Sequence, residues 1–186
     1  LIDEAHNLVE RGREMYSASI CRESLIKVRK KIREKMPAVY RSMGRVKRML
    51  DELQKECGDY KVLPGTGSIT MGLLKIQGGF ESYLEEHKDA ELEEDVRQLY
   101  FDVRNFVNMA EYVDENYVVY AENGSDGAFR LKLFCVNPAA NLGEYLKKGR
   151  STVFFSATLL PMDYYRKLLS CRTDDYGIYV RSPFEQ

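Results

Sequence analysis

The chain of 186 residues contains no tryptophan, only two histidines and only four cysteines. The cysteines stand singly rather than in C-x-x-C pairs, and neither histidine is placed to complete a zinc-binding set. Isolated cysteines of this kind are typical of reduced, partly buried thiols. We therefore expect neither a zinc site nor an iron–sulfur cluster within these residues.

Long apolar runs are also absent. No stretch reaches the roughly 18 consecutive apolar residues that a membrane-spanning helix needs, and no signal peptide follows Leu1. Apolar residues nevertheless make up 44% of the chain, which is too many for a disordered protein. Because the chain begins with leucine rather than methionine, we expect a fragment of a longer, monomeric protein. That protein should be cytoplasmic or nuclear, without membrane contact, and not secreted.

The net charge of −1 hides an uneven distribution. From Arg11 to Lys61, 15 Lys and Arg residues stand against 7 Asp and Glu residues, whereas from Glu81 to Asp126 only 3 stand against 14. This asymmetry indicates either a basic face for nucleic acid or two oppositely charged helices that pair with each other.

The spacing of apolar residues predicts a helical middle section. They recur every three or four positions from Arg22 to Cys57, from Ile69 to Glu86 and from Leu92 to Val113, as on the buried side of packed helices. Pro37 lies inside the first stretch and should kink it or divide it into two helices, because its ring displaces a backbone hydrogen bond. We expect an antiparallel helical body over residues 13–116.

The ends of the chain are patterned differently. Tyr117–Tyr120 and Phe129–Phe134 flank a segment rich in Asn, Gly and Asp, which predicts a β-hairpin. Thr152–Phe155 is a continuous apolar run of the kind buried on both faces of a parallel sheet, and Gly177–Val180 predicts another strand. The predicted fold class is mainly α, with a helical domain inserted into pieces of an α/β domain and with a β-hairpin.

The sharpest chemical signal lies in the first eight residues, LIDEAHNL. Asp3 and Glu4 follow directly after an apolar strand. Adjacent carboxylates in this position suit nucleotide hydrolysis, since one can orient Mg²⁺ through its water shell and the other can polarise the attacking water. Two surface acids at the start of a helix, favoured by the helix dipole, are the alternative explanation.

This string resembles motif II of superfamily 2 helicases, the Walker B element in its DEAH form. Ser156-Ala157-Thr158, directly after the apolar run, resembles motif III of the same family. Alone, that tripeptide would be interpreted as a strand end with two helix-capping hydroxyl groups. Together the two motifs are specific.

The resemblance implies a role for each motif residue. Asp3 would hold Mg²⁺ through water, Glu4 would activate the attacking water, and His6 would link the nucleotide site to motif III. Ser156, Ala157 and Thr158 would couple hydrolysis to unwinding.

The separation of the motifs points to a subfamily. Ser156 follows Asp3 by 153 residues, whereas ordinary DEAD- and DEAH-box RNA helicases have only a few dozen residues there. XPD and DinG-type DNA helicases insert a largely helical Arch domain at this point, which disfavours an RNA-directed helicase. Cys135–Ala139 and Ser156–Tyr165 resemble the return of those helicases into the motor domain, and Ser182–Phe184 is similar to a motif near the start of their second motor lobe.

By this resemblance the chain has three parts. They are the end of a first RecA-like motor lobe (1–12), the Arch-type insertion (13–116), and the β-hairpin with the return into the motor domain (117–186).

The family's activity supplies further expectations. The longer protein would be an ATP- and Mg²⁺-dependent DNA helicase that moves 5′→3′ on single-stranded DNA in repair. Its partners would be single-stranded DNA and the remaining motor lobes of its own chain. No G-x-x-x-x-G-K-[ST] loop occurs in the chain, and Gly65–Ser68, which lacks the lysine, predicts a plain turn. In the family that loop and any iron–sulfur domain precede motif II, so we expect the fragment alone to be inactive.

The densest basic run is the candidate nucleic-acid contact. It comprises Lys27, Arg29, Lys30, Lys31, Arg33 and Lys35, with Arg41, Arg45, Lys47 and Arg48 further along. Contact with phosphates and pairing with the acidic segment Glu91–Asp95 explain this run equally well. A third interpretation makes the chain a helical protein–protein interaction module of a nucleic-acid-dependent ATPase.

Overall fold

A computed structural model of the chain describes residues 1–87, 91–170 and 175–181. The chain divides into a central unit, residues 17–136, and a discontinuous unit formed by residues 1–16 and 137–186. About half of the described residues are helical. The helices are α1 His6–Met15, α2 Arg22–Lys31, α3 Pro37–Lys55, α4 Ser68–Glu86, α5 Glu94–Ala110, α6 Ala139–Leu146 and α7 Met162–Leu169. The strands are β1 Ala18–Cys21, β2 Tyr60–Leu63, β3 Tyr117–Asn123 and β4 Phe129–Cys135.

The central unit combines a four-stranded antiparallel sheet with helices α2 to α5. The strand order is β1-β4-β3-β2, with Ile20 opposite Leu131 and Val119 opposite Leu133. Alternate side chains of β3 and β4 are buried, and they share one core with the apolar sides of the four helices. The sheet therefore has one covered face and one open face.

The predicted break at Pro37 is confirmed. The first apolar stretch forms two helices, α2 and α3, and Pro37 occupies the first turn of α3, where its missing N–H group costs nothing. The apolar seam continues across the break, because Val28, Ile32 and Val39 are all buried. One run of apolar residues thus builds an antiparallel helix pair.

The predicted hairpin is present as β3 and β4, but the region before it is not purely helical. Strands β1 and β2 lie within residues 13–116, and they flank the hairpin on either side. An isolated two-stranded hairpin is marginally stable, and these two strands extend it to a sheet. Each has only four residues, too few for the alternation to stand out from the surrounding helical pattern. The hairpin also belongs to the central unit, whereas the sequence interpretation grouped it with the return segment.

The two ends of the central unit lie side by side. The backbone N–H of Cys135 donates to Ser17 Oγ at 3.0 Å, and Ala18 pairs with Leu133 across adjacent strands. Inserted domains need adjacent ends, because the host chain has to leave and resume at neighbouring points. This geometry agrees with an insertion.

The discontinuous unit contains α1, α6 and α7 and a short parallel pairing. Its buried residues include Val9, Leu142 and Leu169. A Cβ atom on Gly12 of α1 would lie 3.0 Å from the Cβ of Pro138, so glycine permits close contact between the two flanks of the unit.

Two strand predictions in this unit need correction. Thr152–Phe155 contributes a single parallel bridge, Phe154 with Ile2, and it is not buried on both faces, since the side chains of Val153 and Phe155 are 52% and 45% exposed. Gly177–Val180 forms no strand, because no neighbouring strand among the described residues pairs with it. The Ser182–Phe184 motif lies outside the described residues. Among the helices that the structure describes, none combines the length and apolar character needed to cross a membrane.

Candidate active site

Backbone hydrogen bonds in the discontinuous unit join the first residues of the chain to the segment Val153–Phe155. The N–H of Ile2 donates to the carbonyl of Val153 at 2.9 Å, and the N–H of Phe155 donates to the carbonyl of Ile2 at 3.0 Å. Because the pairing is parallel, the residues that follow each segment emerge at the same edge. This confirms the expectation that Leu1–Ile2 and Val153–Phe155 lie close together, and it places Asp3 and Glu4 beside Ser156.

Four side chains meet at this edge. Ser156 Oγ donates to Glu4 Oε2 at 3.0 Å and lies 2.8 Å from His6 Nδ1. Thr158 Oγ1 lies 3.1 Å from the same ring nitrogen and 3.2 Å from Ser156 Oγ. The cluster Glu4–His6–Ser156–Thr158 joins residues that are about 150 positions apart in the sequence, and we call it the motif cluster.

The hydrogen-bond inventory assigns a proton to His6 Nδ1. The hydroxyl proton of Ser156 goes to Glu4 Oε2, so the ring nitrogen donates in its 2.8 Å contact with Ser156 Oγ. Ser156 Oγ also accepts from the backbone N–H of Thr158, at 3.2 Å. Glu4 Oε2 therefore accepts from the serine hydroxyl, and His6 Nδ1 lies 3.1 Å from the same oxygen.

The backbone at Glu4 has an unusual conformation. Its φ of +48° makes it the one residue other than glycine with a positive φ among the described residues. Left-handed backbone at a non-glycine residue costs on the order of 1–3 kcal/mol and persists only where surrounding contacts hold it, commonly at functional sites. The hydrogen bond from Ser156 supplies such a contact, and so does the bond from the Ala5 N–H to the carbonyl of Phe155 at 3.2 Å. The half-exposed Glu4 carboxylate therefore has a fixed position.

Asp3 lies beside the motif cluster and is exposed. Its Oδ1 accepts the backbone N–H of Glu4 at 2.7 Å, and no hydrogen bond or ion pair within the described residues engages Oδ2. Among the described residues no group of three His, Cys, Asp or Glu side chains could hold a metal unaided. One free carboxylate oxygen fits Mg²⁺ all the same, because that ion commonly binds through one or two carboxylates, several waters and the phosphates of a substrate. Ala157, between the two hydroxyl residues, contributes only backbone and a small exposed side chain.

The basic run divides into two groups. Lys31 Nζ lies 2.9 Å from Glu93 and 2.7 Å from Asp95, and Lys27 Nζ lies 2.9 Å from Asp95. Hydrogen bonds from Lys31 and Lys27 lower the pKa of Asp95, and the reciprocal bonds raise the pKa of Lys31. For these two lysines, pairing with the acidic segment is what the structure shows.

The other members of the run are arranged differently. Lys30, Arg33 and Lys35 are exposed, and the guanidinium of Arg33 lies 5.9 Å from the ring of Tyr40. No ion pair joins these three to a carboxylate within the part of the chain that the structure describes. Lys27 and Lys31 therefore hold α2 against the acidic segment, whereas Lys30, Arg33 and Lys35 form an exposed basic surface.

Sequence reasoning missed the hydrogen bond from the Ser156 hydroxyl to Glu4 and the left-handed backbone at Glu4. The motifs identified both partners, but a separation of about 150 residues gives no signal of contact. No local pattern at Asp3-Glu4-Ala5 indicates a positive φ.

Comparison with known proteins gave matches among solved structures. No protein family and no curated protein matches the sequence. Among solved structures, the chain is similar to "Structure of S. tokodaii Xpd4", with a TM-score of 0.49 and 17% sequence identity. The similarity covers 85% of this chain and 32% of that one, so the chain spans about a third of the length of that protein.

Proposed function

We propose that this chain is part of an ATP-dependent DNA helicase of the XPD/DinG-like type, with the central unit as its Arch-type insertion. The motif cluster is the observation that carries the proposal. A hydrogen bond joins the Glu4 carboxylate of the DEAH-like string to Ser156 of the S-A-T-like string, and Ser156 contacts Thr158 in turn, although the central unit separates the two strings.

Each residue of the cluster has a distinct task in this proposal. Glu4, fixed by Ser156 and His6, is the base that polarises the attacking water. Asp3, with one oxygen free, holds Mg²⁺ through its water shell, and the bound ion would neutralise charge on the transferred phosphoryl group. No G-x-x-x-x-G-K-[ST] loop occurs in the sequence, so the phosphates of ATP would be held by other parts of the full protein.

The same hydrogen bonds explain how hydrolysis would be coupled to movement. A change of charge at Glu4 alters whether the Ser156 hydroxyl donates to it, because that hydroxyl has a single proton. Thr158 then responds through Ser156 and His6, which both lie within 3.2 Å of it. The S-A-T segment would thus sense the state of the nucleotide site, and the helicase would move on single-stranded DNA.

The test is Glu4→Gln in the full protein. Loss of a general base lowers turnover by about 10²- to 10⁴-fold, whereas binding of ATP and Mg²⁺ should persist, because Asp3 is unchanged. Glu14→Gln is the matched control, since Glu14 is an exposed carboxylate of the neighbouring helix α1. Normal turnover in Glu4→Gln would remove Glu4 from this role, and equal losses in both variants would point to a general effect of charge.

A protein-interaction module is the second candidate function, and the open face of the sheet favours it. Tyr60 and Val62 of β2 are 70% and 60% exposed, and Phe134 of β4 is 39% exposed. Val62 lies opposite Tyr120 in the strand register, and Val118 lies opposite Phe134, so all five side chains share one face. Association through such an apolar face should withstand high salt, whereas contact with phosphates weakens steeply as salt rises.

A further inference from the structure

Three arginines project in a row from the outer side of α3. Arg41, Arg45 and Arg48 are spaced four and three residues apart, so they lie one above the other, with steps of about 6 and 4.5 Å along the helix axis. All three are exposed. The opposite side of the helix is the buried seam of Val39, Met43, Val46 and Leu50. We call these three residues the arginine stripe.

The charge of the arginine stripe is not compensated. Among the described residues, no ion pair or hydrogen bond joins any of its guanidinium groups to a carboxylate. Asp51 of the same helix accepts instead from Lys47 and Arg22, and Glu56 pairs with Lys61. Glu52 is the one carboxylate on the outer side of α3, so a net positive charge remains there.

The stripe is also rigidly supported. Arg29 of α2 stacks on the ring of Tyr40 at 3.8 Å and donates to its carbonyl at 3.1 Å. Its guanidinium rests against Gly44, where a Cβ would come within 3.1 Å. These contacts fix α2 against α3, and they cover one face of the Tyr40 ring.

The chemistry of this surface favours a phosphate backbone over a protein. Protein interfaces depend on a buried apolar centre, and the outer side of α3 offers charged side chains instead. Guanidinium groups bind phosphate through two parallel hydrogen bonds. Arg29 already occupies one face of the Tyr40 ring, and the arginines themselves favour contacts to phosphates, which do not depend on sequence.

We propose that the arginine stripe is a phosphate-binding track for single-stranded nucleic acid, separate from Lys27 and Lys31, which brace α5. The inference refines the proposed function and depends on it for the choice of a single strand. Three phosphate contacts on a single strand correspond to a change of about 2 in the slope of log affinity against log salt, at roughly 0.7 per contact. At about 0.1 M salt the same change corresponds to roughly a hundredfold loss of affinity.

The test measures binding of a fluorescein-labelled oligothymidylate to the 186-residue chain by anisotropy over a range of salt concentrations. The triple variant Arg41→Gln/Arg45→Gln/Arg48→Gln keeps good helix-forming residues and should lose about 2 units of slope. The corresponding triple change to lysine should retain the slope, because each position keeps its charge. Melting curves followed by circular dichroism should be unchanged for both.

The matched control is Arg11→Gln/Lys75→Gln/Arg104→Gln, which removes three exposed positive charges spread over α1, α4 and α5. It should keep the slope of the unchanged chain. Equal losses in the control and the stripe variant would mean that only net charge matters, and an unchanged slope in the stripe variant would mean that the track lies elsewhere. Either result overturns the inference.

Two further outcomes are decisive. If the unchanged chain binds a polyglutamate peptide but not the oligothymidylate, the partner is an acidic protein and the proposal is wrong. If the chain binds neither probe, the proposal also fails, while the role of Glu4 is judged separately by turnover in the full protein.

Discussion

Two glycines of α4 allow this helix to approach α3 closely, and the neighbouring Gly78 provides an internal control. A Cβ on Gly79 would lie 2.6 Å from Cγ2 of Val39, and a Cβ on Gly72 would lie 2.6 Å from Cγ2 of Val46. The same atom on Gly78 would meet nothing within 4 Å. Glycine lowers helix propensity at all three positions, but at Gly72 and Gly79 it also permits the close packing of α4 on α3.

The magnitudes follow from two opposing effects. Alanine is better than glycine inside a helix by about 1 kcal/mol, so Gly78→Ala should stabilise the chain by about that amount. Gly79→Ala gains the same propensity but overpacks against Val39, at a cost of about 1–3 kcal/mol. The two variants should therefore differ by about 1–3 kcal/mol in the free energy of unfolding, or several degrees in Tm at about 2–4 °C per kcal/mol.

Urea denaturation of both variants measures this difference directly. In a Val39→Ala background the methyl groups that Gly79→Ala would strike are gone, so the same substitution should become neutral or stabilising. If Gly79→Ala stabilises the unchanged chain as much as Gly78→Ala does, the close approach of α3 and α4 is refuted.

Two more predictions concern charged groups of the central unit. Burial alone would raise the pKa of Glu23, but hydrogen bonds from the Phe129 N–H and from Arg22 outweigh it and lower the pKa below its ordinary value of 4.5. The stability that Glu23 contributes is therefore present above pH 4.5 and is lost as the pH falls through the lowered pKa. Glu23→Gln should flatten the dependence of Tm on pH in this acidic range. Lys31→Glu should lower Tm, because it places a negative charge beside Glu93 and Asp95. Lys30→Glu is the control and should leave Tm unchanged. Equal melting curves for the two variants would show that the contacts of Lys31 with Glu93 and Asp95 do not stabilise the chain.

Much of the fold could be predicted from local pattern. The three apolar seams gave α3, α4 and α5, and Pro37 marked the helix break, because helical periodicity and proline geometry are properties of neighbouring residues. The hairpin could be predicted equally well, from the alternation of apolar and polar residues in its strands and from its glycine-rich loop. Its position in a sheet could not be predicted, since the residues of β1 and β2 pair with partners at least 109 and 56 positions away, beyond the reach of a local pattern.

The candidate site was only partly predictable, for a related reason. The motif strings named Asp3, Glu4, His6, Ser156 and Thr158, and parallel pairing implied that the two strings are neighbours. The individual hydrogen bonds depend on the backbone conformation of Glu4, which no nearby residue signals. The basic run shows the opposite limit. Charge spacing alone could not reveal that Lys27 and Lys31 pair with carboxylates, whereas the arginines of α3 form no ion pair within the described part of the chain.

The two units explain how a site can be built from strings so far apart. In the central unit, the backbone N–H of Cys135 donates to Ser17 Oγ. The chain therefore enters and leaves this unit at neighbouring points. In the discontinuous unit, Gly12 and Pro138 are in contact range, and the flanks are therefore held together from the other side as well. Because each unit brings its own ends together, 120 intervening residues impose no strain on the pairing of Ile2 with Phe154. The motif cluster can therefore keep hydrogen bonds of 2.8–3.2 Å while the central unit between its two strings carries a separate surface of its own.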